Sequence, residues 1–443
     1  MSSLLVRNAA ILTMNEAFDG LDGEVYVEDG WIRAVGPPAA GRAADAIVDA
    51  RGGYLLPGFV QTHIHLCQTL FRGFADDLPL LAWLRQRVWP LEAAHDAASL
   101  GAAAHLAAAE LLCTGTTTVL TMETVHDTDA VLDALVHTGL RATVGKCLMD
   151  APAEGVPDRL REPARVALDE SLALRARWDG AANGRLRVAL APRFAVSCTR
   201  ELLEAVAAES VQSGTLVHTH ASESRDEIAL VRQQSGLGNI AYLEALGLAS
   251  ARLCAAHCIW VNEAEQRLLA DRQVKVLHCP GSNLKLGSGV APVPELRARG
   301  VSVSLGADGA ACNNRLDMFD EMRLAATLQA LRLGPGSLPA RDVVTMATRE
   351  GARALGLERE IGCIAPGYRA DLIVVDRDRP HLAGCPDPYS ALVYAARGTD
   401  VRTVIVDGEV LVRDFALVRA DPREVAADAA HHAARLARRA GIA

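Results

Sequence analysis

Two histidines separated by one residue, His63 and His65, are the first side chains of this sequence that could bind a metal ion. They follow the apolar run of residues 54–60, which is typical of a buried strand. Because strand side chains alternate between two faces, both imidazoles point to the same side and can reach one ion. A His-x-His pair is a weak signal alone, so its meaning depends on where further ligands fall.

Further metal-binding residues lie at or near the ends of other apolar runs, namely His218, His220, His257 and Asp308. His218 shares a face with His220 but lies deeper in the strand, so we expect it to pack or to hydrogen-bond below the site. A catalytic zinc site keeps one position open for water, and the metal lowers the pKa of that water. The predicted ligands are His63, His65, His220 and Asp308.

Two residues beside this set could move protons. Glu223 follows His220 by three residues, so its carboxylate can stand near the water without being a ligand and can transfer a proton to a ring nitrogen. The alternative is an exposed glutamate at the start of a helix. His257 suits hydrogen bonding to the hydroxide and to a tetrahedral intermediate.

These residues need a fold that brings strand ends together. Eight apolar runs alternate with helical stretches, of which residues 82–112 are the longest, and this order predicts a (β/α)8 TIM-type barrel. The carboxyl ends of barrel strands converge on one mouth. The predicted strands are residues 58–63, 116–123, 140–149, 185–193, 215–220, 252–257, 274–279 and 301–308.

Both ends of the chain show a different residue pattern, in which short strands are predicted on either side of Asp29-Gly30 and of Asp407-Gly408. Asp-Gly between alternating apolar residues indicates a β-hairpin. Neither end is long enough for a core of its own. We therefore predict one small β-sandwich domain built from residues 1–56 and 365–415, with the metal-dependent barrel, residues 57–364, inserted between them. Residues 416–443, rich in Ala and Arg, are predicted to be a C-terminal surface helix.

Composition excludes several classes of function. The 443 residues carry a net charge of −9 without a basic stripe, which argues against binding to nucleic acid. The N-terminus lacks a signal peptide, and no apolar stretch approaches the roughly 18–20 residues that span a bilayer, so a cytoplasmic protein without membrane contact is expected. Ten cysteines without C-x-x-C pairs suit reduced thiols.

The motifs in this order resemble the amidohydrolase superfamily, in the branch of cytosine/guanine deaminase-like and chlorohydrolase-like enzymes. The resemblance implies a barrel with a small β-sandwich, one divalent metal ion per chain (Zn²⁺ or Fe²⁺), a homo-oligomer and hydrolytic removal of an amino group from a small heterocycle. The bridging lysine or glutamate of two-metal relatives is missing at the end of strand 4. The motifs are residues 56–65, 220–223, 256–258, 282–285, 305–309 and 366–376.

By this resemblance, Glu223 protonates the ring nitrogen beside the attacked carbon. Asp308 and His257 take the proton from the metal-activated water, the hydroxide attacks, and ammonia leaves. The same water could displace chloride, but that reaction needs no proton donor at the position of Glu223.

The substrate is less well defined. The segment with Trp89 and Glu92 is similar to deaminases of S-adenosylhomocysteine, methylthioadenosine and 5′-deoxyadenosine, in which the matching glutamate holds the ribose hydroxyls. The arginine and histidine of that group are matched here by Lys146 and Arg193. Trp89, Glu92, Lys146, Arg193, Gln68 and Glu223 are the expected substrate contacts.

Guanine deaminases offer the alternative comparison, because Gln68 and Arg193 could clamp the carbonyl of a guanine, another oxopurine or a pterin. In the competing interpretation, Gln68 caps the following helix and Arg193 pairs with Glu92. A triazine aminohydrolase or chlorohydrolase is a further alternative.

Overall fold

A parallel barrel forms the centre of the molecule. The computed structural model describes residues 3–38, 43–152 and 154–442. With strands numbered in chain order, the barrel order is β13-β12-β11-β10-β9-β8-β7-β6-β14. These strands are β6 Phe59–His65, β7 Thr116–Met122, β8 Arg141–Leu148, β9 Leu186–Pro192, β10 Val217–Ala221, β11 Leu253–His257, β12 Lys275–His278, β13 Val303–Leu305 and β14 Asp308–Gly309.

The last barrel strand is bent into two pieces, and the bend closes the barrel. β13 pairs with β12, whereas β14, which is separated from β13 by two residues, pairs with β6. Gly306 lies at the bend, where an added Cβ would stand 2.5 Å from the carbonyl oxygen of His63. Only glycine allows this approach of two backbones. The closure therefore brings Asp308 beside Ile64 and the two histidines that flank it.

Helices follow most of the barrel strands, as the (β/α)8 pattern requires. With single turns included, they are α1 Leu80–Trp83, α2 Trp89–Ala93, α3 Ala97–Cys113, α4 Thr128–Thr138, α5 Ala164–Trp178, α6 Ala181–Gly184, α7 Arg200–Ser213, α8 Arg225–Ser235, α9 Asn239–Ala245, α10 Glu263–Asp271, α11 Pro280–Lys285, α12 Val293–Ala298, α13 Met318–Leu333, α14 Ala340–Ala347, α15 Arg349–Ala354, α16 Pro388–Ser390 and α17 Pro422–Arg439.

The two ends of the chain form a second, separate sheet of nine strands. Its order is β18-β17-β16-β15-β5-β1-β2-β3, and β4 pairs with β1. The predicted fold class, a TIM-type barrel with a small β domain built from both termini, is confirmed. The strands are β1 Ser3–Leu12, β2 Gly20–Glu28, β3 Trp31–Gly36, β4 Ala46–Asp49, β5 Tyr54–Pro57, β15 Leu372–Val375, β16 Val401–Val406, β17 Glu409–Arg413 and β18 Ala416–Leu417.

Two predicted segments differ from the structure. The helix expected over residues 82–112 is broken, because Asp96 and Ser99 form a capping box that starts α3 afresh, while Leu84–Val88 is π-helical. The C-terminal segment begins with β18, which pairs with β17, before α17 starts. That helix is not wholly on the surface, since Ala429 and Leu436 are buried. The exact domain boundaries, the oligomeric state and the cellular location stay predictions.

Apolar side chains fill the barrel below its mouth. Val60, Leu120, Ala256 and Leu277 belong to one buried cluster with residues of the segment that follows α14, including Ala352. Within the described ranges, no helix combines the length and the apolar character needed to cross a membrane.

Candidate active site

The four predicted ligands lie together at the mouth of the barrel. The Nε2 atoms of His65 and His220 are 3.3 Å apart, and Oδ1 of Asp308 lies 3.3 Å from Nε2 of His63 and 3.2 Å from Nε2 of His65. Four atoms bound tetrahedrally at about 2.0–2.1 Å from a metal would be separated by about 3.3 Å. The distances between the donor atoms thus match those between the ligand atoms of a tetrahedral metal site.

Hydrogen bonds from the far side of each ring fix the three histidines. Nδ1 of His65 donates to the carbonyl of Met122 at 2.7 Å, and Nδ1 of His220 donates to the carbonyl of Arg193 at 2.6 Å. Nδ1 of His63 lies 2.6 Å from Nε2 of His218. A ring that carries its hydrogen on Nδ1 presents the lone pair of Nε2, and such outer hydrogen bonds are typical of metal-binding histidines.

The electrostatics of this cluster also fit a cation. Burial lowers the pKa of His63 to about 4 and that of His220 well below its usual value, so both rings are neutral. Although burial acts in the opposite direction, His63 and His65 hold the pKa of Asp308 well below its usual value. Among the described residues, the buried Nε2 of His63 has no hydrogen-bond partner. A divalent cation would satisfy this atom and the carboxylate together.

Glu223 and His257 stand beside the cluster. Nε2 of His257 lies 3.6 Å from Oε2 of Glu223 and 3.8 Å from Oδ2 of Asp308. Glu223 is buried directly before Ser224, the N-cap of α8, so it is not an exposed helix-start residue. Burial, reinforced by Asp308 and opposed by His257, raises the pKa of Glu223 to about 7. Its carboxyl group can therefore carry a proton near neutral pH.

The short helix α11 orients two of these groups. Ser282 donates to Oδ2 of Asp308 at 2.7 Å, and Oδ1 of Asn283 accepts from Nδ1 of His257 at 2.9 Å. The bond to Asn283 leaves Nε2 of His257 facing Glu223. His257 and Asp308 both have positive φ, 70° and 62°, a conformation that bulky residues adopt mainly where function requires it. Sequence reasoning gave Ser282 and Asn283 no role, because their motif alone does not indicate what they contact.

A buried polar network lies on another side of the mouth. Arg193 pairs with Glu92 through two hydrogen bonds of 2.6 and 3.2 Å, and Nε2 of Gln68 donates to Glu92 at 3.0 Å. Gln68 therefore does not cap the helical turn that follows the histidines. It packs so closely against Gly309 that a Cβ there would stand 2.0 Å from Oε1 of Gln68. Arg193 also lines the cleft above the metal-type cluster.

An apolar wall covers the rest of this cleft. The wall comes from the α1 segment, from the residue after Arg193 and from the residue after α11. Sequence reasoning missed these residues, because apolar side chains in helical segments look like ordinary core. The wall consists of Leu80, Trp83, Leu84, Phe194 and Leu286.

Of the predicted substrate contacts, Arg193 and Glu223 line the cleft, whereas Gln68, Glu92, Trp89 and Lys146 do not. Trp89 is buried in an apolar cluster and does not line the cleft, whereas Trp83 does. Lys146 points away from the barrel mouth, because its neighbour Cys147 occupies the inward position, 3.9 Å from Arg193. The Lys146 side chain instead forms ion pairs with Glu162 and Glu170. Strand parity thus places Lys146 on the opposite side of β8 from the cleft.

Lys146 belongs to a second group with metal-type residues, formed by His126, Glu162 and Glu170. Nδ1 of His126 lies 3.4 Å from Glu162, and Nε2 donates to the carbonyl of Arg159 at 2.7 Å. The Lys146 ammonium lies between the two carboxylates and forms an ion pair with each of them. This group therefore contains its own cation.

Comparison with known proteins agrees with the fold and the motifs. A 5′-deoxyadenosine deaminase of Methanothermobacter thermautotrophicus is 43% identical over 394 residues, 88% of this chain and 90% of that protein. A 5-methylthioadenosine/S-adenosylhomocysteine deaminase of Pelotomaculum thermopropionicum is 37% identical over 99% of this chain and 100% of its own. The crystal structure of an adenosine deaminase from Xanthomonas campestris with bound zinc superposes with a TM-score of 0.91, at 34% identity and 98% coverage of both chains. The family model for the amidohydrolase family matches residues 54–411, and the chain belongs to that family.

Proposed function

We propose that this chain is a zinc-dependent aminohydrolase that removes the amino group of an adenosine-like nucleoside, such as 5′-deoxyadenosine, methylthioadenosine or S-adenosylhomocysteine. The observation that carries the proposal is the buried Glu223, with a pKa near 7, next to His257 at the edge of a four-ligand cluster. A hydrolytic deaminase needs such a proton donor for the ring nitrogen.

His63, His65, His220 and Asp308 would hold the metal, which lowers the pKa of water and supplies hydroxide near neutral pH. Glu223 would give its proton to the ring nitrogen next to the carbon that bears the amino group. His257 and Asp308 would accept the proton of the attacking water, and Asn283 keeps Nε2 of His257 directed at this position. Return of that proton to the amino group would let ammonia leave, and the remaining hydroxyl proton would pass to the carboxylate of Glu223 as the carbonyl of the oxo-purine forms, which restores the proton donor.

The polar network supports a nucleoside rather than a free oxopurine. A guanine clamp would need the donors of Gln68 and Arg193, but both side chains donate to Glu92. Glu92 is held in place by these bonds, and carboxylate oxygens can accept further hydrogen bonds from ribose hydroxyls. The curated relatives named above, which act on adenine nucleosides, support the same choice. The triazine alternative has no observation of its own in its favour.

Ammonia release from a small panel of compounds tests this function. We expect turnover of 5′-deoxyadenosine and methylthioadenosine by the metal-loaded protein, with ultraviolet spectra shifting from the adenine to the hypoxanthine chromophore. Turnover of free guanine without turnover of any adenine nucleoside would contradict the proposal. The metal-free protein serves as the control.

A further inference from the structure

We propose that Glu321, a carboxylate buried behind the barrel mouth, is a positioning residue for the metal ligand Asp308 and the proton acceptor His257. Glu321 does not line the cleft and acts through two neighbouring segments of the chain. This inference rests on the proposed function and deepens it, because it concerns the same site.

Glu321 belongs to α13 and is completely buried, and among the described residues no lysine or arginine pairs with it. Its two oxygens instead accept hydrogen bonds from two different segments. Oε2 accepts from the backbone N–H of Gly281 at 3.0 Å, and Oε1 accepts from Nδ2 of Asn313 at 2.8 Å. Because a buried carboxyl group without such bonds is costly, both segments are held against α13.

The first of these segments is α11, which carries the groups that orient the site. Gly281 directly precedes the two residues of α11 that bond to Asp308 and His257. The contact is close, since an added Cβ at residue 281 would clash with Oε1 of Glu321. Only glycine allows the carboxylate to approach the backbone in this way. The placement of α11 therefore depends on Glu321.

The second segment is the stretch around β14 that carries Asp308. Asn313 holds the carbonyl groups on both sides of Asp308, because its Nδ2 donates to Ala307 at 2.7 Å and its backbone N–H donates to Gly309 at 3.0 Å. Asp308 has a positive φ of 62°, a conformation that persists only where the surroundings enforce it. The other hydrogen on Nδ2 is donated to Glu321, so this carboxylate fixes the amide that holds the metal ligand.

Glu321 thus joins both sides of the site at one carboxyl group. An amide in its place can accept only one of the two bonds, since the amide nitrogen is a donor. Glu321→Gln is therefore an isosteric change that releases one of the two segments.

Zinc affinity, measured by competition with a chelator, tests the inference without any assay of turnover. Glu321→Gln should weaken zinc binding by about tenfold, the lower end of the effect of removing hydrogen bonds behind a metal ligand. An affinity equal to that of wild type would overturn the inference.

Asp317→Asn is the matched control, because it makes the same carboxylate-to-amide change at the N-cap of the same helix. Asp317 accepts from the N–H groups of Phe319 and Gly398 at 2.9 and 3.1 Å. Neither donor belongs to α11 or to β14, so the zinc affinity should be unchanged. An equal loss of affinity in both variants would mean that general loosening of α13 causes the effect, and would overturn the inference.

Double variants show whether Glu321 acts through the two segments. Ser282→Ala removes the bond from α11 to Asp308, and Asn313→Ala removes the bracket around it. Combining Glu321→Gln with either change should weaken zinc binding by less than the product of the separate effects, as expected within one hydrogen-bond network. Effects that multiply in both combinations would overturn the inference. If Glu321→Gln does not fold, Glu321→Asp, which is too short to reach both donors, replaces it in each measurement.

Turnover separates this inference from the proposed function. In zinc-saturated Glu321→Gln, kcat for methylthioadenosine should fall by about tenfold with KM little changed, because a small displacement of His257 affects the chemical step rather than binding. A rise in KM with unchanged kcat would contradict the role of Glu321. Absence of turnover of every adenine nucleoside by the wild-type protein would overturn the proposed function, and the zinc affinities would still decide whether Glu321 positions Asp308.

Discussion

Two groups of histidine and carboxylate side chains in this molecule have ligand atoms within metal-binding distance of one another. One lies at the barrel mouth and contains His63, His65, His220 and Asp308. The other contains His126, which follows β7, Glu162, which precedes α5, and Glu170, which lies in α5. Residue types and spacing alone would not separate them.

The difference lies in what surrounds the donor atoms. At the barrel mouth, outer hydrogen bonds aim three imidazoles at one point, and among the described residues no lysine or arginine pairs with Asp308. In the second group, the Lys146 ammonium is already paired with both carboxylates, of which Glu170 is half exposed. We conclude that a cation site requires directed lone pairs and no ammonium group between its carboxylates, and that of these two groups only the first meets both requirements.

Removing one histidine from each group gives the largest expected contrast. His220→Ala should abolish stoichiometric zinc binding and reduce ammonia release below detection. The three ligands that remain no longer complete the coordination sphere of the metal. His126→Ala should leave zinc content and turnover near wild type. Zinc measured by atomic emission after dialysis, together with ammonia release, compares the two variants. Equal zinc loss in both would contradict the assignment.

Removing a carboxylate that is not a ligand separates chemistry from metal binding. Glu223→Gln should lower kcat by about 10²–10⁴-fold while zinc content stays unchanged, because the amide cannot supply the proton. Glu162→Gln makes the same isosteric change in the second group and should leave kcat near wild type. Near-normal turnover of zinc-loaded Glu223→Gln would rule out its role as proton donor.

The second group should contribute to stability instead. Lys146→Met leaves the buried Glu162 without its cation, which costs about 3–5 kcal/mol of unfolding free energy for a buried pair. Denaturant unfolding of the zinc-loaded variant measures this loss. At temperatures where the variant is still folded, its kcat should equal that of wild type, and a fall in kcat with unchanged stability would mean that Lys146 acts on the substrate after all.

The smallest effect is expected from a residue behind the ligands. His218→Gln weakens the bond that orients His63, and removal of such outer bonds typically lowers metal affinity by about 10–100-fold. Competition with a zinc chelator measures this affinity without any assay of turnover. An affinity equal to that of wild type would show that His63 is oriented by packing alone.

The sequence sufficed for the features that depend on period and order. Strand parity and the sequence of apolar runs predicted that His63, His65, His220 and Asp308 would meet, and the structure brings them together. In β8 the same alternation directs Lys146 outwards when Cys147 faces inwards. The sequence analysis named Lys146 only because it matches a residue of the relatives, and that match contains no information on which way the side chain points.

Other features depend on tertiary contacts that no local pattern contains. A π-helical turn, Leu84–Val88, separates Trp83 from Trp89, and Trp83 is the one that lines the cleft. The pairing of Gln68 and Arg193 with Glu92 joins segments far apart in the chain, so the sequence left their partners open. Likewise, the role of Asn283 becomes visible only through its bond to His257.

Anomalous diffraction at the zinc edge, from crystals of the metal-free protein soaked in zinc, tests the central claim most directly. We predict one strong peak about 2.0–2.2 Å from Nε2 of His63, His65 and His220 and from a carboxylate oxygen of Asp308. No peak is predicted between His126, Glu162 and Glu170. A peak at the second group with none at the barrel mouth would contradict the account.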